Sequence, residues 1–418
     1  MSDAAVVSPS APPVGLQDAT LADVPLMARK GVDMLRKNWQ YGAMDVIFPN
    51  GKHMLLQGKD PGPTAVLKVN DFNFIKRVLT SGDIGFCDGF RDNEWDTPDL
   101  ATLLEVLTLN SEKLGQLFTG NVVIRTLNNI WHAFHKNTKT GSKRNIFAHY
   151  DLGNSFYDQW LDQSMTYSSA LFEGRSQETR DLTAAQTAKY AKLAELVDLK
   201  PGQHVLEIGC GWGGFAQYAA ETIGARVTGV TISQAQHDYA VERMKRLGLS
   251  DKVDIVMMDY RDIDGQFDAV VSIEMFEAVG ETYWGTYFTK LHDVLKKGGK
   301  AGLQIITIAD DMFEDYRSRA DFIQKYIFPG GMLPSAQKLV EQTQKAGLNL
   351  ITNFKFGQDY AETLKQWAQR FEKAWHEGRI HGFDAQFRKL WLFYLAYCEA
   401  GFRTARTNVV HLELQRAD

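Results

Sequence analysis

A chain of 418 residues, 44% hydrophobic and 23% charged, has an ordinary globular composition and is long enough for a large domain plus a smaller one. Its formal net charge of −5 excludes a dedicated, strongly basic nucleic-acid binder. The three widely spaced cysteines, Cys87, Cys210 and Cys398, exclude a disulfide framework and a cysteine metal site, and no metal is expected.

Residues 1–20 are rich in Ala, Ser, Val and Pro and place no Lys or Arg ahead of an apolar run. They lack the charged start of a secretory signal and read as a disordered tail. Residues 21–120 read as a small α+β domain, a candidate lipid-binding module. Within it, Phe48-Pro49-Asn50-Gly51 separates two apolar runs between Met44 and Leu56 and predicts a hairpin, because Asn and Gly both tolerate positive φ. A helix is expected at 70–79, then a glycine-bearing loop, Ser81-Gly82-Asp83-Ile84-Gly85. A second helix is expected at 100–109, capped by Thr97 or Asp99. Residues 121–145 form a linker. Its stretch Lys136-Asn137-Thr138-Lys139-Thr140-Gly141-Ser142-Lys143-Arg144 is either simply solvated or a patch for anionic headgroups, each charge near the surface contributing about 1 kcal/mol. No run approaches the roughly 18 to 20 uninterrupted apolar residues needed to span a bilayer.

Residues 146–418 read as the catalytic domain. Strands are expected at 204–208, 226–231, 253–258, 269–273 and 300–308, with helices at 214–223, 234–247 and 286–295. Short β-branched runs alternating with amphipathic helices predict an α/β fold, a doubly wound Rossmann-like parallel sheet. The aromatic stretch from Trp367 to Tyr397 reads as helix core or as the wall of an apolar tunnel.

The sharpest local signal is Val205-Leu206-Glu207-Ile208-Gly209-Cys210-Gly211-Trp212-Gly213-Gly214. An apolar strand ends in an acidic residue, and a glycine-rich turn then opens a helix. Glycines accept positive φ and let a ligand approach the backbone, at the strand end where doubly wound folds bind ligands. Nicotinamide-dinucleotide enzymes use G-x-G-x-x-G there. The order E-x-G-x-G-x-G is instead typical of class I methyltransferases, whose S-adenosylmethionine has a cationic sulfonium and no pyrophosphate. Glu207 can place favourable charge near the cofactor amine and sulfonium. The second strand lacks the usual acidic residue at its end, and Thr231 and Gln236 are candidates for the same hydrogen bonding. After the third strand, Asp259 or Asp262 lies beside the adenine or caps a helix.

Further segments match one family together. His149-Tyr150-Asp151-Leu152-Gly153-Asn154 and Thr166-Tyr167-Ser168-Ser169-Ala170 precede the glycine turn. Gly229-Val230-Thr231-Ile232-Ser233, Met275-Phe276-Glu277-Ala278-Val279-Gly280 and Lys325-Tyr326-Ile327-Phe328-Pro329-Gly330-Gly331 follow it. Over residues 145–406 the sequence resembles the cyclopropane-fatty-acyl-phospholipid synthase family and its mycolic-acid methyltransferase relatives. The resemblance implies an enzyme that binds S-adenosylmethionine beside an unsaturated acyl chain. In such enzymes the alkene takes the methyl group, leaving a carbocation, and a base removes a proton. Loss from the new methyl closes a cyclopropane, while loss from a neighbouring carbon leaves a methyl-branched alkene. The same resemblance implies cofactor contacts from Tyr167, Ser168, Gly209, Gly211, Thr231, Gln236, Tyr260 and Arg261, with Trp212 and Gly213 in the same turn. It also implies an active-site carboxylate, Glu277, that helps hold bicarbonate as the base.

Three positions depart from the family pattern around that ion. Ser169 stands for a cysteine, Ile306 for a histidine ahead of Thr307 and Ile308, and Ala368 for a tyrosine after Trp367. A small anion loses most of its donors while desolvation still opposes its entry, so bicarbonate is not expected to bind in the usual way. Gln304 is a polar candidate for the altered pocket but a poor base. The expected reaction is C-methylation of an acyl double bond in membrane phospholipid, giving a cyclopropane or a methyl-branched or methylene chain. The alternatives are a small-molecule methyltransferase and a lipid-binding relative that has lost its chemistry. The implied setting is the cytoplasm, with peripheral association at the inner face of the membrane. An unsaturated phospholipid is the expected partner, nucleic acid is not, and a homodimer is admissible.

Overall fold

The computed structural model describes residues 25–112, 152–172, 174, 181–318 and 321–417. The expected tail, the linker with its basic stretch, and His149-Tyr150-Asp151 lie outside the described residues. The chain divides into two units, Met1–Thr119 and Gly120–Asp418. No helix among the described residues is long and apolar enough to cross a membrane.

In the first unit, α1 (Leu26–Asn38) precedes a four-stranded sheet ordered β2-β1-β3-β4, built from β1 (Tyr41–Ile47), β2 (His53–Gln57), β3 (Asp60–Val69) and β4 (Trp95–Asp96). β1 and β2 form the expected antiparallel hairpin, with Met44 opposite Leu56. Its turn closes from the Gly51 N–H to the Phe48 carbonyl, and only Gly51, at φ 76°, uses the left-handed region. The parallel partner of β1 is strand β3, although Pro61 and Pro63 are residues that disfavour a strand. Both fall near its start, and Thr64 to Lys68 carry the continuous pairing. The loop expected at 81–85 is instead the middle of α2 (Asn73–Arg91), kinked at Gly82 (φ 60°, ψ −130°). Packing outweighs the glycines: Phe86 stacks on the buried Trp95 at 4.1 Å between centroids. α3 (Leu100–Leu109) has its expected limits, and Asp99 caps it by accepting the Thr102 N–H.

The second unit holds a seven-stranded sheet ordered β10-β11-β9-β8-β5-β6-β7. Its strands are β5 (His204–Ile208), β6 (Arg226–Thr231), β7 (Val253–Met257), β8 (Phe267–Ile273), β9 (Leu295–Ile308), β10 (Leu348–Lys355) and β11 (Thr407–Arg416). Strands β7, β6, β5, β8 and β9 run parallel, whereas β11 is antiparallel to β9 and β10 to β11. Helices α4 (Leu182–Leu196), α5 (Gly214–Tyr218), α6 (Gln234–Arg246), α7 (Trp284–Val294), α8 (Ala336–Lys345), α9 (Gly357–His376) and α10 (Ala385–Arg403) surround it.

Successive β5 residues feed two separate cores, as a doubly wound sheet requires. Val205 packs with Leu193 of α4 and Phe215 of α5, whereas Leu206 packs with Phe288 and Leu291 of α7. The parallel strands thus have apolar layers on both faces, which is why they read as near-continuous apolar runs. The chain runs outward from β5 through β6 to β7, then returns to β8 on the other side. That reversal opens a crevice at the carboxyl ends of β5 and β8.

Candidate active site

The glycine turn leaves β5 at this crevice. Gly209 and Gly211 take φ of 81° and 52°, where side chains are strained. A Cβ at Gly209 would lie 2.7 Å from Met275 Cγ, so packing alone demands glycine there. At Gly211 a Cβ would meet nothing within 4 Å, so bare backbone borders open space. Just upstream, Glu207 is buried, accepts the Ala216 N–H and leaves Oε2 without a partner. Burial pushes its pKa well above the usual carboxylate range. An orphaned carboxylate oxygen near a bare backbone cradle suits a ligand carrying a cationic amine or sulfonium, which would supply the missing partner.

Around this turn, Thr231 at the end of β6 donates to Gln236 Oε1 at 2.9 Å, which orients the amide. After β7, Arg261 grips Asp259 through bonds of 2.7 and 2.6 Å, with its guanidinium near the rings of Tyr260 and Tyr283. Asp259 also accepts the Arg261 N–H, so it is cap and ion-pair partner at once. The buried Tyr260 hydroxyl has no partner, and burial raises it to about 12.

The Thr166–Ala170 segment is pinned from behind by α4. Lys189, fully buried, donates to Ser168 Oγ at 2.6 Å, and Gln186 donates to the Ser168 carbonyl at 2.9 Å. Desolvation pulls Lys189 down to about 7, against the carboxylates of Glu274, Asp162 and Glu207. The Tyr167 and Tyr394 hydroxyls meet at 2.7 Å. The Tyr167 ring lies 5.2 Å from Trp367 and 5.3 Å from Tyr157, which lies 5.1 Å from Trp212. Trp212 is fixed by its indole N–H on Asn154 Oδ1 at 2.8 Å. Aromatic rings from the tail helices and the glycine turn therefore meet in one apolar wall.

Two glutamates follow β8. Glu274 sits at φ 49°, a strained conformation for a residue with a side chain. Its Oε1 accepts the Ser169 N–H at 2.8 Å and Gln304 Nε2 at 2.7 Å, and its Oε2 accepts the Tyr360 hydroxyl at 2.6 Å. Gln304 Nε2 also reaches the Ser169 carbonyl at 3.2 Å. Two acceptors on that nitrogen fix the amide, so Gln304 Oε1 accepts from His411 Nε2–H at 2.8 Å. Burial holds His411 near 3, and the ring is neutral. Glu277 Oε1 accepts the Ile306 N–H at 2.5 Å, while Oε2 is buried without a partner. Burial and the neighbouring charge of Glu274 push Glu277 up to about 8. Burial raises Glu274 as well, opposed by the Tyr360 hydroxyl and the Lys189 charge.

The sequence matches the family described as mycolic acid cyclopropane synthetase over residues 137–412. The chain belongs to this family. It is 38% identical over 349 residues to a tuberculostearic acid methyltransferase of Mycobacterium tuberculosis, spanning 82% of this chain and 81% of that one. It is 33% identical over 379 residues to the cyclopropane-fatty-acyl-phospholipid synthase of Escherichia coli, spanning 88% and 90%. The solved structure of the mycolic acid cyclopropane synthase CmaA1, complexed with SAH and CTAB, aligns with a TM-score of 0.60 at 27% identity, over 66% of this chain and 98% of that one. As a family member the chain is a S-adenosylmethionine-dependent methyltransferase that modifies unsaturated lipid chains.

In this cyclopropane synthetase relative, three of the positions expected in the altered pocket, Ser169, Gln304 and Ile306, meet around the two glutamates. Ile308 is buried in the core cluster that also holds Phe276 and Phe313. Ala368 is half-buried on α9 and offers only a methyl. The hydroxyl in the pocket comes from the same helix about two turns earlier, at Tyr360. Glu274, Tyr360, Lys189 and His411 escaped sequence reasoning. Glu274 lies just outside the Met275–Gly280 segment, and the only signal for Lys189 is a lysine on the inward face of α4.

Proposed function

We propose that this enzyme methylates a double bond in an acyl chain of a phospholipid at the membrane surface, and that its product is a methyl-branched or methylene chain in place of a cyclopropane. The observation that carries the reading is a bare glycine cradle, with the unpartnered Glu207 Oε2 close by, in a unit where Tyr167 packs on Trp367 and Trp367 on Tyr360, whose hydroxyl donates to one of two enclosed glutamates. S-adenosylmethionine, when bound, supplies an electrophilic methyl group on a cationic sulfonium. Gly209 and Gly211 offer it bare backbone, Glu207 a partner for positive charge, and Tyr167, Ser168, Thr231, Gln236, Tyr260 and Arg261 the surrounding polar contacts. The rings of Tyr157, Trp160, Tyr167 and Trp367 exclude water that would quench a carbocation and turn electron-rich faces toward positive charge.

The branched product is supported by the side chains at Ser169, Ile306 and Ala368, which give a dissolved base little to bind. Peripheral attachment from the cytoplasm, at the inner face of the membrane, belongs to the same reading, and the charges of Lys136, Lys139, Lys143 and Arg144 support it.

The test is turnover on vesicles of monounsaturated phospholipid with a donor whose methyl carries three deuterium atoms. Deuterium is expected in the acyl chain, with alkene or methylene signals and no high-field ring protons in the NMR spectrum. Ring protons would sink the branched product. Label on a soluble amine but not on lipid would sink the lipid reading.

A further inference from the structure

The Ser169 N–H, the Gln304 amide and the Tyr360 hydroxyl converge from three separate elements, the loop before α4, strand β9 and helix α9. N–H and O–H donors converging on one small volume make an anion site. Here the anion is tethered to the chain as the carboxylate of Glu274, and the backbone accepts φ 49° to bring it in. The donors are themselves held. His411 fixes Gln304, Thr363 Oγ1 accepts the Ala170 N–H at 3.1 Å beside Ser169, and Tyr360 stacks on Phe402 at 4.4 Å. A dissolved anion would have to displace one already in place at far higher effective concentration.

The structure assigns to Glu274 the role of a built-in proton acceptor, which takes the proton released after methyl transfer without any dissolved anion. This rests on the proposed function and adds the base at that same site. Glu277 takes a single donor, the Ile306 N–H, whereas three donors hold the Glu274 carboxylate in place. Glu274 Oε1 already carries two donors and Oε2 only one, so Oε2 keeps a lone pair for the incoming proton.

Once the methyl has joined one alkene carbon, the other lacks an electron pair. A C–H bond on a carbon beside it breaks, the proton goes to Glu274 Oε2, and the freed pair forms the new carbon–carbon π bond. The neutral carboxyl returns the proton to water after the product leaves. Loss from the new methyl would close a ring with the same balance.

The test measures S-adenosylhomocysteine release on vesicles of monounsaturated phosphatidylethanolamine, in buffer purged of carbon dioxide and in buffer with added bicarbonate. Wild-type rates in the two buffers are expected to agree within about twofold. Glu274→Gln keeps the size and one acceptor oxygen, and is expected to lose about 100-fold in turnover, unrestored by bicarbonate. Glu274→Ala empties the donor cluster, and bicarbonate is expected to raise its rate about tenfold. Retained affinity for S-adenosylhomocysteine shows that the variants are folded. Should the wild-type rate collapse without bicarbonate and return with it, the inference is overturned with no variant needed. Glu274→Gln turning over like wild type also overturns it. Absence of lipid methylation by wild type in both buffers would overturn the functional reading, and the inference with it.

Discussion

Replacing Glu277 by glutamine keeps the shape of the side chain and removes its titration. Turnover is expected to fall by less than the about 100-fold of Glu274→Gln, while affinity for S-adenosylhomocysteine stays within about twofold, measured by steady-state rates and by binding titration. The same variant reads the electrostatics of the pocket. Folded, this carboxyl keeps its proton to about 8; unfolded, it releases it near 4.5. Between those values the folded form binds more protons, so stability falls as pH rises, by up to about 1.4 kcal/mol per pH unit from this group. Glu277→Gln is expected to flatten that slope in urea denaturation between about pH 5 and 8. Parallel curves for the two proteins would contradict the burial of this carboxyl. At this scale Glu207 and Glu277 were legible, because each sits in a short contiguous motif. Glu274 was not, because its meaning depends on donors at Ser169, Gln304 and Tyr360 that are distant in sequence.

Among the elements, the glycine turn separates two roles that one motif merges. Gly209→Ala meets both positive φ and the Met275 side chain at 2.7 Å, and is expected to cost about 2–3 kcal/mol of stability. Gly211→Ala meets only φ 52° and open space. It is expected to cost about 1 kcal/mol of stability yet weaken cofactor binding about tenfold, because its methyl enters the cradle. Thermal midpoints together with cofactor titrations distinguish them, and equal cofactor affinity in Gly211→Ala and wild type would remove the turn from the site. The parallel strands β5 and β6 were legible to the residue, since burial on both faces writes itself as an apolar run. Strands β10 and β11 were not. β10 is largely exposed beyond Leu348. β11 buries His411 and Glu413, whose cost is met by Gln304, Lys300 and Thr352 on neighbouring strands, a compensation no local pattern shows.

For the molecule as a whole, the sheet order brings the ends of β5, β6, β8 and β9 to one edge, so segments separated by about a hundred residues assemble one chemistry. The family and the doubly wound sheet were readable from ordered motifs between residues 145 and 406. The antiparallel continuation of the sheet and the tethered anion were not. The central claim is that a sulfonium methyl reaches an alkene, and it is tested most directly by comparing two vesicle preparations alike except for one acyl double bond. With a radiolabelled methyl donor, label is expected in the acyl chains of the monounsaturated phospholipid and none in the saturated one. Equal labelling of both, or label confined to the headgroup, would contradict it.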